Sequence, residues 1–328
     1  MKKAQFPRSF IFVGLSLWFF LGLFSTSSAA PGDYPNKEIT IIVNSNPGGG
    51  RDLIARGFGN TLSKHLGVPC VVLNVAGAGG MRGVEQLYNS APDGYTVGIG
   101  ALTDIMLQFI EKPKYDAKKF IPIGTIQRSP DFLFVRSDSP FQSVKDFKTF
   151  GKKIRVGTHV LTAVGTVAYM ILADREGFSI SIVAGYKGIP EVTLGLIRGE
   201  IETNDIVGSA AAPFVRAGQI RPILVLGDKR SPSFPNTPTA GEIGHPDLAS
   251  FGLYYWLVAP PGVPKARIQV LEEGFMKTVK DPEFLTWAKG AGADIAPLSA
   301  EETAKLVNDF AADFSLKYVN IVKKYMEK

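Results

Sequence analysis

The run Ile39-Thr40-Ile41-Ile42-Val43-Asn44-Ser45-Asn46-Pro47-Gly48-Gly49-Gly50-Arg51-Asp52-Leu53 passes from a continuous apolar segment, through a glycine loop, into residues with helical spacing. Ile39 to Val43 reads as a buried strand. From Leu53 to Leu66 the residues Ile54, Phe58, Leu62 and Leu66 share one helical face, and Gly67 supplies the stop. Three consecutive glycines leave backbone N–H groups bare at the start of a helix, where the helix end adds partial positive charge. That combination suits an anion. A flexible turn is the other reading of the same glycines. Asp52 is expected to be the N-cap of the helix.

The pattern repeats outward from this unit. Val71 to Val75 reads as a second strand. It is followed by Val75-Ala76-Gly77-Ala78-Gly79-Gly80-Met81-Arg82-Gly83 and a short helix over 81–89. This second loop approaches a dinucleotide fingerprint, but its third glycine falls at Gly83 where that motif wants it at Arg82. A second anion cradle and a structural glycine turn both fit. Ala91-Pro92-Asp93-Gly94 is a turn, and Thr96 to Ile99 a third strand, so the βαβαβ order predicts a parallel sheet with helices on both faces. The alternation then restarts, with strands at 132–135, 155–157, 180–183, 201–207 and 223–226 and helices at 163–176, 190–198 and 211–217. Segment 231–238 is a proline-rich loop, and Leu253 to Ala259 another strand. A long terminal helix opens on the capping box Ser299/Glu302, with Leu306, Phe310, Phe314, Ile321 and Tyr325 as its buried stripe. Two α/β units follow, joined by strands near 132–136 and 251–257. The cleft beyond the carboxyl ends of their strands is the expected site.

The chain has 328 residues, a net charge of +6 and one cysteine. Lys2, Lys3 and Arg8 precede an apolar stretch from Phe10 to Phe24, and small residues follow at Ser28 and Ala30. This is the pattern of an export signal cleaved after Ala30, leaving a mature chain that begins at Pro31. The segment is shorter than the ~20 residues a membrane span needs. Its removal brings the charge to +3, and no basic patch with interleaved aromatics appears, so nucleic acid is not an expected partner. A lone Cys70 excludes an internal disulfide and reads as a small hydrophobe at the start of a strand. His65, His159 and His245 stand in unrelated contexts, no G-x-S-x-G occurs, and no cluster has metal-ligand spacing. No catalytic residue, cofactor or metal is expected. An exported enzyme with a dinucleotide-like loop and a ligand sensor for a membrane protein are the competing functional readings.

Several short motifs, in order, resemble the solute receptors of tripartite tricarboxylate transporters, also called the Bug or TctC-like family. They are Tyr34-Pro35-Asn36-Lys37, Pro47-Gly48-Gly49-Gly50 with Asp52, Gly77-Ala78-Gly79-Gly80, Ala91-Pro92-Asp93-Gly94-Tyr95-Thr96, Tyr186-Lys187-Gly188, Lys229-Arg230-Ser231 and Ala259-Pro260. The resemblance implies a type II periplasmic-binding fold, two Rossmann-like lobes closing on a small organic carboxylate. It implies a periplasmic monomer that delivers its ligand to the large and small membrane subunits of a secondary transporter. The lobes are expected at 31–133 with 254–328, and at 134–253. The implied ligand contacts are Pro47, Gly48, Gly49, Asp52, Ala78, Gly79 and Gly80 in the first lobe. In the second lobe they are Thr162, Val164, Gly165, Thr166, Asn204 and Asp205. The chain departs from the family pattern in that second lobe, with Thr162 and Thr166 where serines are usual, Tyr169 for a histidine, and Asn204-Asp205 preceding Ile206-Val207 where an Asp-Asn pair is usual. If Asp205 faces the cleft, it favours an amine or hydroxyl on the ligand; if it faces away, it is a solvated strand-end charge.

Overall fold

The computed structural model describes Met1 and residues 34–326; the expected leader beyond Met1 and its cleavage point lie outside the described residues. The elements run β1 (Ile39–Val43), α1 (Gly50–Leu66), β2 (Cys70–Asn74), α2 (Met81–Tyr88), β3 (Thr96–Gly100), α3 (Leu102–Ile110), β4 (Ile121–Ser129) and β5 (Asp131–Arg136). Then come α4 (Asp146–Thr149), β6 (Ile154–Gly157), α5 (Val164–Glu176), β7 (Ile180–Val183), α6 (Ile189–Ile197), β8 (Thr203–Val207), α7 (Gly208–Arg216) and β9 (Ile220–Leu226). The chain closes with β10 (Leu253–Ala259), α8 (Lys265–Thr278), α9 (Pro282–Gly290), β11 (Ile295–Leu298), α10 (Ala300–Asp313) and α11 (Val319–Met326). Gly67 and Gly177 end α1 and α5 in the left-handed conformation that glycine adopts without strain.

These strands form two sheets, one of order β11-β4-β10-β3-β1-β2 and one of order β7-β6-β8-β5-β9. Within each, the strands linked by crossover helices are parallel: β2-β1-β3 in the first and β7-β6-β8 in the second. The remaining strands pair antiparallel, which needs no crossover helix, so each complete sheet is mixed rather than parallel throughout. Apolar residues of β1 are buried on both faces, as befits a strand flanked by two neighbours, whereas β2 alternates at the edge and leaves Val71 and Leu73 exposed.

The chain passes between the sheets at Ser129-Pro130-Asp131, where only the proline separates β4 from β5. That is earlier than the crossing expected at 132–136, because all of β5 belongs to the second sheet. The return crossing lies against it: Leu253 pairs with Ser129, and a Cβ on Gly252 would stand 2.8 Å from the Ser129 carbonyl oxygen. The sequence reading passed over β4 and α3. Pro122 and Gly124 interrupt β4, and its buried Thr125, Gln127 and Ser129 hide its strand character. Those side chains are satisfied internally. Thr125 bonds Thr303 at 2.9 Å, and the Ser129 hydroxyl donates to Asp294 at 2.9 Å.

The capping box forms, with the Glu302 N–H donating to Ser299 Oγ at 3.2 Å and the Ser299 N–H to Glu302 at 2.8 Å. The stripe of the terminal helix differs from the expectation. A π-helical turn at Phe314–Tyr318 widens the spacing, so Phe310, Phe314, Tyr318 and Val322 line up four residues apart and are buried. Leu306, Ile321 and Tyr325 are only half-buried. The end of this helix reaches α5: Tyr318 donates to Asp247, which accepts Arg175 at 2.7 Å, and Lys324 pairs with Asp174 at 2.6 Å. Among the described residues, no helix is long and apolar enough to cross a membrane.

Candidate functional site

Helix α1 begins at Gly50, with extended Gly49 as its N-cap and no side chain over the first turn. Asp52 is therefore not the N-cap. It sits at the third helical position, 2% exposed, with its carboxylate turned back toward the loop. It accepts the Gly48 N–H at 2.8 Å, Asn74 Nδ2 at 2.9 Å and Arg56 at 3.0 Å. Burial pushes this carboxyl up, but the Arg56, Gly48 and Asn74 hydrogen bonds outweigh it and hold the group below the usual carboxylate value. Asp52 thus anchors the loop to β2 and occupies the Gly48 N–H. The N–H groups of Gly49, Gly50 and Arg51 have no acceptor among the described residues, and all three residues belong to the unpaired end of the helix. Pro47, Gly48 and Gly49 are exposed beside them.

The second loop takes four consecutive residues through positive φ: Gly77 at +128°, Ala78 at +49°, Gly79 at +64° and Gly80 at +103°. Its glycines divide by role. A Cβ on Gly83 would stand 2.5 Å from Cβ of Asn44, so Gly83 permits α2 to lie against β1. Gly80 approaches the Asn44 amide just as closely, at 2.8 Å, and its N–H is bonded to the Gly77 carbonyl. Gly79 is different, because nothing lies within 4 Å of where its Cβ would be, and the space is open for another molecule.

Between the two loops lies a network that the sequence reading missed. Arg51 pairs with Asp104 at 3.2 Å, donates to Thr103 Oγ1 at 3.0 Å and also to Asn44 Oδ1. Asp104 accepts Asn44 Nδ2 at 2.9 Å and the Ala101 N–H at 2.8 Å. The Arg51 guanidinium lies 5.6 Å from the Tyr255 ring centroid, and the Tyr255 phenol oxygen is 3.6 Å from the position of a Gly50 Cβ. The available signal was topological. Asn44, Arg51 and Asp104 all follow directly on the carboxyl ends of β1 and β3, where an open α/β sheet presents its ligand-facing loops.

Beside the second sheet, Thr162 is buried in the turn before α5, and Val164, Gly165 and Thr166 are the buried first residues of that helix. Thr166 bonds Thr158 at 2.8 Å and Asp205 at 3.2 Å, so its hydroxyl is occupied within the sheet. A Cβ on Gly165 would stand 2.2 Å from that of Asp205; glycine is what lets α5 approach β8 here. The structure separates Asn204 from Asp205. Asn204 is fully buried beneath α6 with its Nδ2 3.5 Å from Thr193 Oγ1, while half-buried Asp205 faces α5. Asp131, which the sequence reading did not consider, lies on the same sheet face, because Asp131 pairs with Val207 and Leu133 with Asp205. Burial, and then Asp205, push the Asp131 carboxyl well above its usual value. Burial raises Asp205 to about 6, against the Thr166 hydrogen bond.

The three histidines serve elsewhere. His65 lies 2.9 Å from Asp281 and His245 2.6 Å from Glu176, and His159 is exposed in the β6–α5 loop. Half-buried Cys70 opens β2, and burial pushes its thiol up.

Two α/β sheets joined by adjacent strand crossings, with bare helix starts on one and a polar wall on the other, define a two-lobed solute-binding protein. The profile of the tripartite tricarboxylate transporter family receptor matches residues 54–325, and the chain belongs to that family. It is 30% identical to the "UPF0065 protein in gbd 5'region" of Cupriavidus necator, covering 80% of this chain and 81% of that one. It is 26% identical to BugT of Bordetella pertussis over 89% of this chain and 90% of that one. Among solved structures, a Rhodopseudomonas palustris protein with adipate superposes at a TM-score of 0.75 with 25% identity, covering 88% of this chain and 98% of that chain. Members of this family are solute-binding receptors, not enzymes.

Proposed function

We propose that the protein captures a small organic carboxylate in the periplasm and delivers it to the large and small membrane subunits of a tripartite secondary transporter. The observation that carries this reading is the set of unpartnered N–H groups at the start of α1, beside the open Gly79 loop. Such groups complement a carboxylate through charge-assisted hydrogen bonds. The adipate in the related Rhodopseudomonas palustris structure supports the same ligand class.

The first sheet with its helices forms one lobe and the second sheet forms the other, hinged at Ser129–Asp131 and Phe251–Leu253. The carboxylate lies against Gly49, Gly50, Ala78 and Gly79, and the polar wall of the second lobe closes over it. Closure follows because the ligand touches both lobes in the closed form and one in the open form. The receptor acts as a monomer, begins at Pro31 and uses no cofactor. A thermal-shift screen of mono- and dicarboxylates on the mature chain tests the reading. A ligand at 100 times its Kd stabilises by about 2.7 kcal/mol, and small-angle scattering with that ligand should show contraction. Failure of every carboxylate to shift the transition would overturn it.

A further inference from the structure

We propose that Asp131 and Asp205 together accept the protonated amine of the ligand, so that the captured solute is an amine-bearing carboxylate. This deepens the carboxylate reading and rests on it. The two residues are diagonal neighbours on one face of the β5–β8 pair, a geometry that places residues about 7–8 Å apart. Two carboxylates on one sheet face at that interval leave room for one small cation.

Asp131 is 7% exposed, and its side chain has no hydrogen-bond donor among the described residues. Its oxygens are not among the atoms sealed from solvent without a partner, so a ligand that covers them must itself donate to the carboxylate. Its surroundings offer no cation. The groups that feel the two acids are phenols: Tyr254 and Tyr255 of β10 feel Asp131, and Tyr169 of α5 feels Asp205. Arg128 and Asp228 bear on Tyr254 rather than on the pair. Arg51 on the first-sheet side is engaged by Asp104, Asn44 and Thr103. The two acids therefore have no counter-charge between them, and burial first, then Asp205, raises the Asp131 carboxyl.

A divalent metal is the weaker occupant. No group of three or more His, Cys, Asp or Glu side chains gathers here or elsewhere among the described residues, and calcium takes six to eight oxygens. A hydroxyl would satisfy one acceptor and leave the second charge uncompensated. An ammonium group carries one positive charge and three donors, which matches two converging carboxylates. Tyr255 sets the scale of the molecule. Its phenol reaches the Gly50 end of the carboxylate cradle, and its ring lies in the field of Asp131. The Tyr255 phenol thus lies near the bare helix start and feels Asp131 as well, and the ligand carries its amine a few atoms from its carboxylate.

The test is calorimetry on the mature chain with straight-chain monocarboxylates from propionate to hexanoate, their 2-amino and terminal-amino counterparts, and the dicarboxylates. At least one amine-bearing member should bind about tenfold or more tightly than its amine-free counterpart and than the dicarboxylate of equal length. Asp131→Asn and Asp205→Asn, which keep shape while removing charge, should each reduce that preference about tenfold, by weakening the amine-bearing ligand more than the amine-free one. Binding of the amine should release protons, with affinity rising from about pH 5 to pH 8, because the cation holds both acids ionised. Dicarboxylates should show the opposite slope. Equal binding with and without the amine, a uniform loss across the panel in both variants, or proton uptake with the amine would overturn this inference while leaving carboxylate capture intact. If nothing in the panel binds, the carboxylate reading falls and this one with it.

Discussion

Replacing Asp52 with alanine tests whether the first-lobe cradle is held from beneath. The carboxylate is 2% exposed and accepts the Gly48 N–H at 2.8 Å, Asn74 Nδ2 at 2.9 Å and Arg56 at 3.0 Å. A hydrogen bond to a charged group contributes about 1.5–3 kcal/mol, and the Gly48 and Asn74 bonds are partly buried. The Arg56 pair is half-exposed at an i,i+4 spacing and adds about 0.3–0.5 kcal/mol. Against this, Gly48 is exposed and regains water, and Asn74 keeps a second acceptor at the Ser45 carbonyl, 3.1 Å away. The sum is a loss of about 3 kcal/mol, read by urea unfolding at constant slope. Because the native carboxyl is held below its unfolded value, its stabilisation is complete above the usual carboxylate range. It is lost as pH falls through the lowered native value. The gap between the parent and Asp52→Ala should therefore be constant from about pH 7 to 5 and narrow below about pH 4. A loss under about 1 kcal/mol, or a gap that ignores acid, would refute the anchoring argument.

Gly79→Ala meets no atom within 4 Å, but at φ +64° it forces a side chain into left-handed backbone. It should cost about 1 kcal/mol of stability and, because its methyl enters the open space before the loop, weaken carboxylate binding about tenfold or more by calorimetry. Asp247→Asn removes the charge and one of the two acceptor oxygens that tie the terminal helix to α5. Its carboxyl is held at about 2, chiefly by the Arg175 hydrogen bond. The group is partly exposed, so after screening the variant should lose about 1–2 kcal/mol at neutral pH, and the difference should vanish as acid unfolding is followed from about pH 4 toward 2.

What the sequence made legible is what local chemistry controls. The contiguous apolar run of Ile39 to Val43, the glycines after it and the Ser299/Glu302 capping box each carry their own signal, and each stands where it was expected. Family membership was likewise carried by short motifs whose order survives divergence. β4 was illegible because its polar residues are buried against partners distant in the chain, such as Thr303 and Asp294. No window of nine residues contains that information. Asp52 was assigned the wrong position because an acidic residue after glycines fits an N-cap and a third-position acceptor equally well. Only the start of the hydrogen-bond ladder separates the two. The pairing of Asp131 with Asp205 needed the β5–β8 register, a fact about two segments more than seventy residues apart. The same register explains why Asn204 and Asp205 part company, since adjacent strand residues point to opposite faces.

The two sides of the cleft solve different problems. On the first-sheet side almost every charged group is engaged by another: Asp52 by Gly48, Asn74 and Arg56, and Arg51 by Asp104. Those contacts hold backbone N–H groups in place before any ligand arrives, which lowers the ordering cost of binding. Ala78 belongs to the same economy of shape. Its φ of +49° is strained for a residue with a Cβ, at about 1 kcal/mol or more. A glycine there would relieve the strain but widen the range of loop conformations to be frozen on binding. A ligand carboxylate meeting such a surface gains hydrogen bonds without rearranging it, and nearly any small carboxylate gains the same ones. Discrimination must then come from a group left unsatisfied until the right ligand supplies what is missing. On the second-sheet side Thr158, Thr166 and Asp205 bond one another, whereas Asp131 has no donor. An acid without a donor of its own disfavours every ligand that brings it another negative charge, and that penalty, rather than any extra attraction in the cradle, is how this fold can separate one carboxylate from the next.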